Sequence, residues 1–339
     1  MKIASIIIGI LLIVFVWVFG MFAYHAWYSA EDAGSPILFT IEEGMGAYHI
    51  AEEIETLGLG SSWEYRLYAK MHPEIADAKV GVYSFRKGIS YEALTEKLIE
   101  GPERVEFKVR MTEGKTIDQN AEKLAELGVS ADAYHELIGA SKGARGFDRS
   151  LIEDYAFLSE VPAGQSLEGY LFPDTYRVWQ DDLPEGLVRK QLSILEQRVI
   201  DDFAEEQVAS GMSWHEILTL ASIVEAEVRQ PETRKIVAGI FLNRLRDGMR
   251  IQSDATINYI VGEGRDRATF EDLQIDSAYN SYERDGLPPG PIGNPSLSSI
   301  IAVLEPTDTD YYFFLTDAEG KIYYAKTYQE HLANKALAY

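Results

Sequence analysis

Apolar residues run almost unbroken from Ile3 to Ala23 and then give way to alternating strand-like and helix-like periods. The run IASIIIGILLIVFVWVFGMFA has 21 residues, close to the roughly 20 a helix needs to cross a hydrocarbon core. It predicts a transmembrane anchor within residues 1–28. Past it, a strand period followed by a helical period occurs repeatedly. FTIEEGMGAYHIAEEIETLGL, from Phe39, is echoed by VRMTEGKTIDQNAEKLAELGV, from Val109. Gly44, Ala51, Leu57 and Gly58 match Gly114, Ala121, Leu127 and Gly128, each 70 residues later. A shorter echo, YSFRKGISYEALTEKLIEG, begins at Tyr83. Each copy predicts a short strand, a glycine turn and an amphipathic helix that ends near glycine. With another helix over 62–71, residues 37–98 make a strand–helix–helix–strand unit.

The second half predicts mixed α+β structure. Ser213-Trp214-His215-Glu216 has the spacing of a capping box and precedes the apolar run ILTLASIVEAEV. At about 100° per residue, Trp214, Ile217, Leu218, Ala221, Val224 and Val228 share a face. Glu225 falls inside that face, whereas Glu227 falls beside Glu216 at its edge. A buried carboxyl holds its proton to higher pH, as a general acid requires. A plainer role for Glu225 is an ion pair with Arg234 or Arg244. A second helix follows from about 233 to 247 and stops at Gly248. Gln252, Ser253, Asp254 and Thr256 then form a polar cluster in which Ser253 or Asp254 suits a helix cap. A Gly/Pro-rich loop over 286–295 follows Asn280 and Tyr282, and a hairpin over 311–325 precedes the last helix.

Charge and composition narrow the function. Net charge is −23, with 54 acidic and 31 basic residues, and no basic stripe stands out, which argues against nucleic acid as a partner. The absence of cysteine excludes disulfides, thiol nucleophiles and Cys-based zinc sites. The six histidines are scattered, so neither a metal nor another cofactor is expected. Lys2 precedes the apolar run, no other Lys or Arg occurs before Arg66, and Glu31 and Asp32 follow the run. This asymmetry predicts a cytoplasmic N-terminus and an extracytoplasmic bulk. A cleaved signal peptide is the alternative, but the run exceeds a usual apolar core of about 7–15 residues.

Taken in order, EGYLFPDTY, LASIVEAE, VAGIFLNRLRDGMRIQSD, YNSY, GLPPGPIGNP and YAKTYQEHLAN resemble the endolytic murein transglycosylase family, which is YceG-like. The resemblance implies an inner-membrane protein with three parts: the anchor at 1–28, a LysM-like module at 35–104 and a catalytic domain at 105–339. The stretch 105–150 carries the second copy of the strand–helix element. The resemblance implies cleavage of nascent peptidoglycan strands between MurNAc and GlcNAc, leaving 1,6-anhydro ends. Peptidoglycan synthases, penicillin-binding proteins among them, are the implied partners. The family's catalytic glutamate in the ASIVE block falls on Glu225. Relatives often continue EKET, where this chain has Ala226 and Val228. Gln252, Asp254 and Asn280 are the candidates for holding sugar or orienting the acid. Two other readings stay open: a hydrolytic muramidase with Asp254 or Glu227 as a second carboxylate, and a non-enzymatic glycan-binding scaffold.

Overall fold

The computed structural model describes residues 2–28, 37–102, 106–262 and 269–338. The chain divides into two compact units, Met1–Arg104 and Val105–Tyr339. The expected starts at residues 35 and 105 lie outside the described residues.

In the first unit, α1 (Lys2–Trp27) precedes β1 (Ile37–Ile41), α2 (Ala47–Thr56), α3 (Ser62–Met71), β2 (Gly81–Phe85) and α4 (Tyr91–Glu100). Ile6–Trp27 is long and apolar enough to cross a membrane. β1 and β2 pair antiparallel, with Phe39 opposite Tyr83. Alternation turns Phe39, Ile41, Tyr83 and Phe85 inward, where they meet Ile50 and Ile54 of α2, Tyr65 of α3 and Leu94 of α4. The strand–helix–helix–strand order read from the pattern is therefore present, closed by one further helix.

The second unit opens with β3 (Glu106–Arg110), α5 (Ile117–Ala125) and α6 (Ala131–Ile138), and β4 (Thr175–Trp179), α7 (Glu185–Leu195) and α8 (Ala204–Ser210) follow. Next come α9 (Trp214–Glu227), α10 (Pro231–Arg246), α11 (Asp254–Val261) and α12 (Leu297–Leu304). A hairpin of β5 (Phe313–Thr316) and β6 (Ile322–Ala325) and a final α13 (Tyr328–Ala338) complete it. β3 pairs antiparallel with β4, which lies far along the chain. Of the three echoed copies, the strands of the first and third pair with each other in the first unit. The second supplies the start of the other unit. In each copy the turn glycine, Gly44, Gly88 or Gly114, holds a positive φ that side chains disfavour.

The predicted capping box forms at Ser213–Glu216, and another forms at Thr116–Gln119. α10 starts two residues before its expected position because Pro231 occupies the first turn, where its missing N–H costs nothing. α9 is the core of this unit. Every residue from Ile217 to Val224 is buried, with α10, α11 and α12 packed around it. Its apolar surface is thus not a single face.

Candidate functional site

At the C-terminal end of α9, Glu225 and Glu227 turn to different neighbours. Glu225 Oε1 accepts from Arg234 Nη2 at 2.7 Å, and both side chains are under a tenth exposed. Its Oε2 accepts from the Ser296 N–H at 3.0 Å, from Ser299 Oγ at 2.8 Å and from Ser296 Oγ. Ser296 caps α12, so this carboxylate also sits at a helix N-terminus, where negative charge is favoured. Arg234 is held further by Ser298 Oγ and by the Val228 carbonyl at 3.1 Å. These donors fill both oxygens. Glu225 is enclosed, as its place on the helix predicts, and the ion pair with Arg234 that was its plainer role forms. α9 is enclosed on all sides, so position on the wheel does not by itself separate the two carboxyls.

Glu227 meets a different set of neighbours. Burial pushes its carboxyl pKa up, and the negative charge of Asp254 adds to the shift. Ser253, the Ala255 backbone and Arg244 oppose it more weakly. Its Oε1 accepts from Ser253 Oγ, which in turn accepts the Ala255 N–H at 3.2 Å and caps α11. Glu227 lines an open cleft of about 560 Å³ with Gly114, Gln119, Lys142, Asp254 and Tyr259, within the size range of ordinary ligand sites. Glu225 does not line the cleft. It lies behind the Gly114 turn, where a Cβ would stand 3.5 Å from its Cγ.

The other sequence candidates separate. Asp254 faces the cleft and accepts from the Tyr282 hydroxyl at 2.6 Å. Asn280 is fully buried. Its amide donates to the carbonyls of Leu273 and Ile275 at 3.0 and 2.9 Å, and its oxygen accepts the Tyr282 N–H at 3.0 Å. It fastens a loop, leaving no polar atom for a sugar. Gln252 is exposed in a left-handed conformation, φ 52°, and does not line the cleft.

One residue escaped the sequence reading. Glu168, from the SLEGYLFPDTY segment, is 2% exposed. Its carboxyl accepts from the Ile117 N–H at 3.0 Å, Ser141 Oγ at 2.9 Å and Asn294 Nδ2 at 3.3 Å. Desolvation pushes its pKa up to about 8, against the pull of the Ser141 and Ile117 hydrogen bonds. Asn294 also accepts from Gly169 and Leu171 N–H, both at 3.0 Å, and donates to the Lys115 carbonyl at 2.8 Å. The start of α5, Ser141 and the Gly/Pro loop are thereby tied at one point behind the cleft. The chance of finding Glu168 from sequence was small, because its partners lie up to 126 residues away.

The cleft thus places a carboxyl of raised pKa beside a second acidic group and a fixed hydroxyl, and perturbed carboxyls in clefts cluster at acid–base sites. The chain itself belongs to the YceG-like family, which it matches over residues 39–337. It is 30% identical to an endolytic murein transglycosylase of Bacillus subtilis, over 90% of this chain and 85% of that one. A relative of the same name from Streptococcus pneumoniae serotype 2 is 32% identical over 90% of this chain and 59% of that longer protein. A crystal structure of a YceG-like protein from Listeria monocytogenes, 30% identical, superposes with a TM-score of 0.59, covering 90% of this chain and all of that one. The family resemblance drawn from the ordered motifs holds.

Proposed function

We propose that this chain is an endolytic murein transglycosylase in which Glu227, rather than Glu225, is the acid and base. The observation that carries this reading is the raised pKa of a carboxyl that lines the cleft, two residues from one saturated by Arg234 and α12. Protonated Glu227 donates to the glycosidic oxygen between MurNAc and GlcNAc. The C–O bond breaks and positive charge develops at C1 and the ring oxygen of MurNAc. The carboxylate of Asp254 stabilises that charge. Glu227, now ionised, accepts the proton of the C6 hydroxyl as its oxygen closes on C1. The product is a 1,6-anhydro end, and Glu227 regains its proton without consuming water. One carboxyl serves twice, unlike the paired groups of ordinary glycosidases.

The sharing of one cleft by Asp254 and Glu227 supports a second reading, hydrolysis, in which Asp254 activates a water. Mass spectrometry of glycan products from wild type, Glu227→Gln and Glu225→Gln separates the readings. Anhydro ends from wild type, lost in Glu227→Gln, are expected. Reducing ends alone would establish hydrolysis. Cleavage that survives in Glu227→Gln but not in Glu225→Gln would return the acid to Glu225.

On this reading α1 anchors the protein in the cytoplasmic membrane, N-terminus inside and both units outside, beside peptidoglycan synthases such as penicillin-binding proteins. The βααβ order of the first unit supports a LysM-like module that grips the GlcNAc-containing strand.

A further inference from the structure

The two helices between β1 and β2 turn different surfaces outward. α2 exposes Tyr48 and His49 in its first turn and Glu52, Glu55 and Thr56 in its second half, where Glu52 pairs with Arg66. α3 exposes Trp63, Leu67 and Met71, at 54%, 43% and 49%, with Lys70 beside them. Spacing of four residues sets the three apolar side chains in one row. The inner face of α3, through Glu64, Tyr65 and Tyr68, already fills the core, so the row is surplus to the packing of this unit.

The apolar helix α1 is fastened to the same unit at its last turns. Phe22 and Ala26 are buried in the core that holds Tyr65 and Leu94. His25 Nδ1 lies 2.8 Å from the carboxylate of Glu64, the residue next to Trp63. The His25 ring also meets Tyr91 edge-on at 6.4 Å. Phe22 and Trp27 are five residues apart on a helix, about 7.5 Å of rise. The unit therefore grips the span within its outer turns, and α3 begins at that level.

We propose that the outer face of α3 lies in the lipid interface of the membrane that α1 spans, as a second and shallower membrane contact. This rests on the reading of α1 as a retained anchor. Tryptophan at position 63 suits the headgroup level, where its ring is apolar and its N–H stays wet. Lys70 reaches toward anionic headgroups, whereas the acidic second half of α2 is repelled by them. Two contacts at different depths fix the tilt and rotation of the first unit on the membrane, which one helix alone leaves free.

The chain has no cysteine, so single labels are specific. Nitroxides at Leu67→Cys, Thr56→Cys and Ile13→Cys in the full chain would be read in vesicles of phosphatidylethanolamine and phosphatidylglycerol. The measurement is collision with oxygen, which prefers lipid, against a water-soluble nickel chelate. The expected result is lipid exposure at 13, interfacial exposure at 67, with oxygen favoured several-fold over the value at 56, and water at 56. Equal nickel access at 67 and 56, with 13 still in lipid, overturns the proposal and leaves the anchor intact. A label at 67 shielded from both reagents marks a protein contact and also overturns it. Water at 13 removes the anchor and the proposal together.

Discussion

The two flanks of α9 hold the same functional group among opposite kinds of partner. On one, Glu225 faces Arg234 and the first turn of α12, with a donor for nearly every lone pair. On the other, Glu227 faces the cleft with a hydroxyl and a nearby negative charge. Two residues on a helix differ by about 200° in direction, so adjacent acidic positions sample unrelated surroundings. On the proposed reading, the fold separates a carboxyl tied into an ion pair from one that exchanges a proton with substrate. The difference also explains why burial alone is a poor guide to catalysis. Both groups are largely buried, and the partners decide which form is stable.

The sharpest way to break this comparison is Glu227→Gln. Cleavage should fall by about 10²–10⁴-fold, the usual contribution of a general acid. Melting should shift by only a few degrees, because Arg244, the buried cation that loses a nearby negative charge, keeps its hydrogen bonds to the Tyr312 and Ile251 carbonyls. The reverse pattern is expected of Glu225→Gln, which leaves Arg234 buried and uncompensated. Breaking a buried pair costs about 3–5 kcal/mol, which calorimetry would record as a large drop in melting temperature. The double replacement Glu225→Leu with Arg234→Met should lose less than the sum of the singles. If Glu225→Gln instead melts like wild type and is inactive, the two flanks have been assigned the wrong way round.

Smaller effects concern pH. Glu168 has a folded pKa raised to about 8 from an ordinary 4.5. Between those values the native state holds a proton that the unfolded chain has released. Stability from this group is therefore complete below pH 4.5, falls as pH rises toward 8 and is level above. Glu168→Gln should flatten that slope in melting temperatures taken from pH 5 to 9, and an unchanged slope would exclude Glu168 as its source. The smallest effect is expected of Ser253→Ala. The Ser253 hydrogen bond lowers the pKa of Glu227, so its removal should raise that pKa. Activity requires the protonated acid and is lost as pH climbs through the pKa. The alkaline limb of the rate profile should move to higher pH, and a downward move would contradict the bond's assigned role.

Much of this molecule is written locally. The apolar length of α1, the alternation in β1 and β2, the turn glycines of the three copies and the caps at Thr116 and Ser213 all depend on residues within a turn or two of each other. Periodicity and side-chain chemistry suffice to read them. The family was legible for a related reason, since its motifs are short strings in a set order. Tertiary structure decided what those strings face. The strand of the second copy left its echoes and paired with β4, because a distant edge was there to receive it. Asn280 became a loop fastener and Glu168 a buried tie, through partners that no window of sequence contains. The proposed choice between Glu225 and Glu227 rests on the same kind of contact. The sequence alone places two carboxyls at the end of an apolar helix. Only packing on every side of that helix brings Arg234 and α12 to one, and leaves the other to an open cleft.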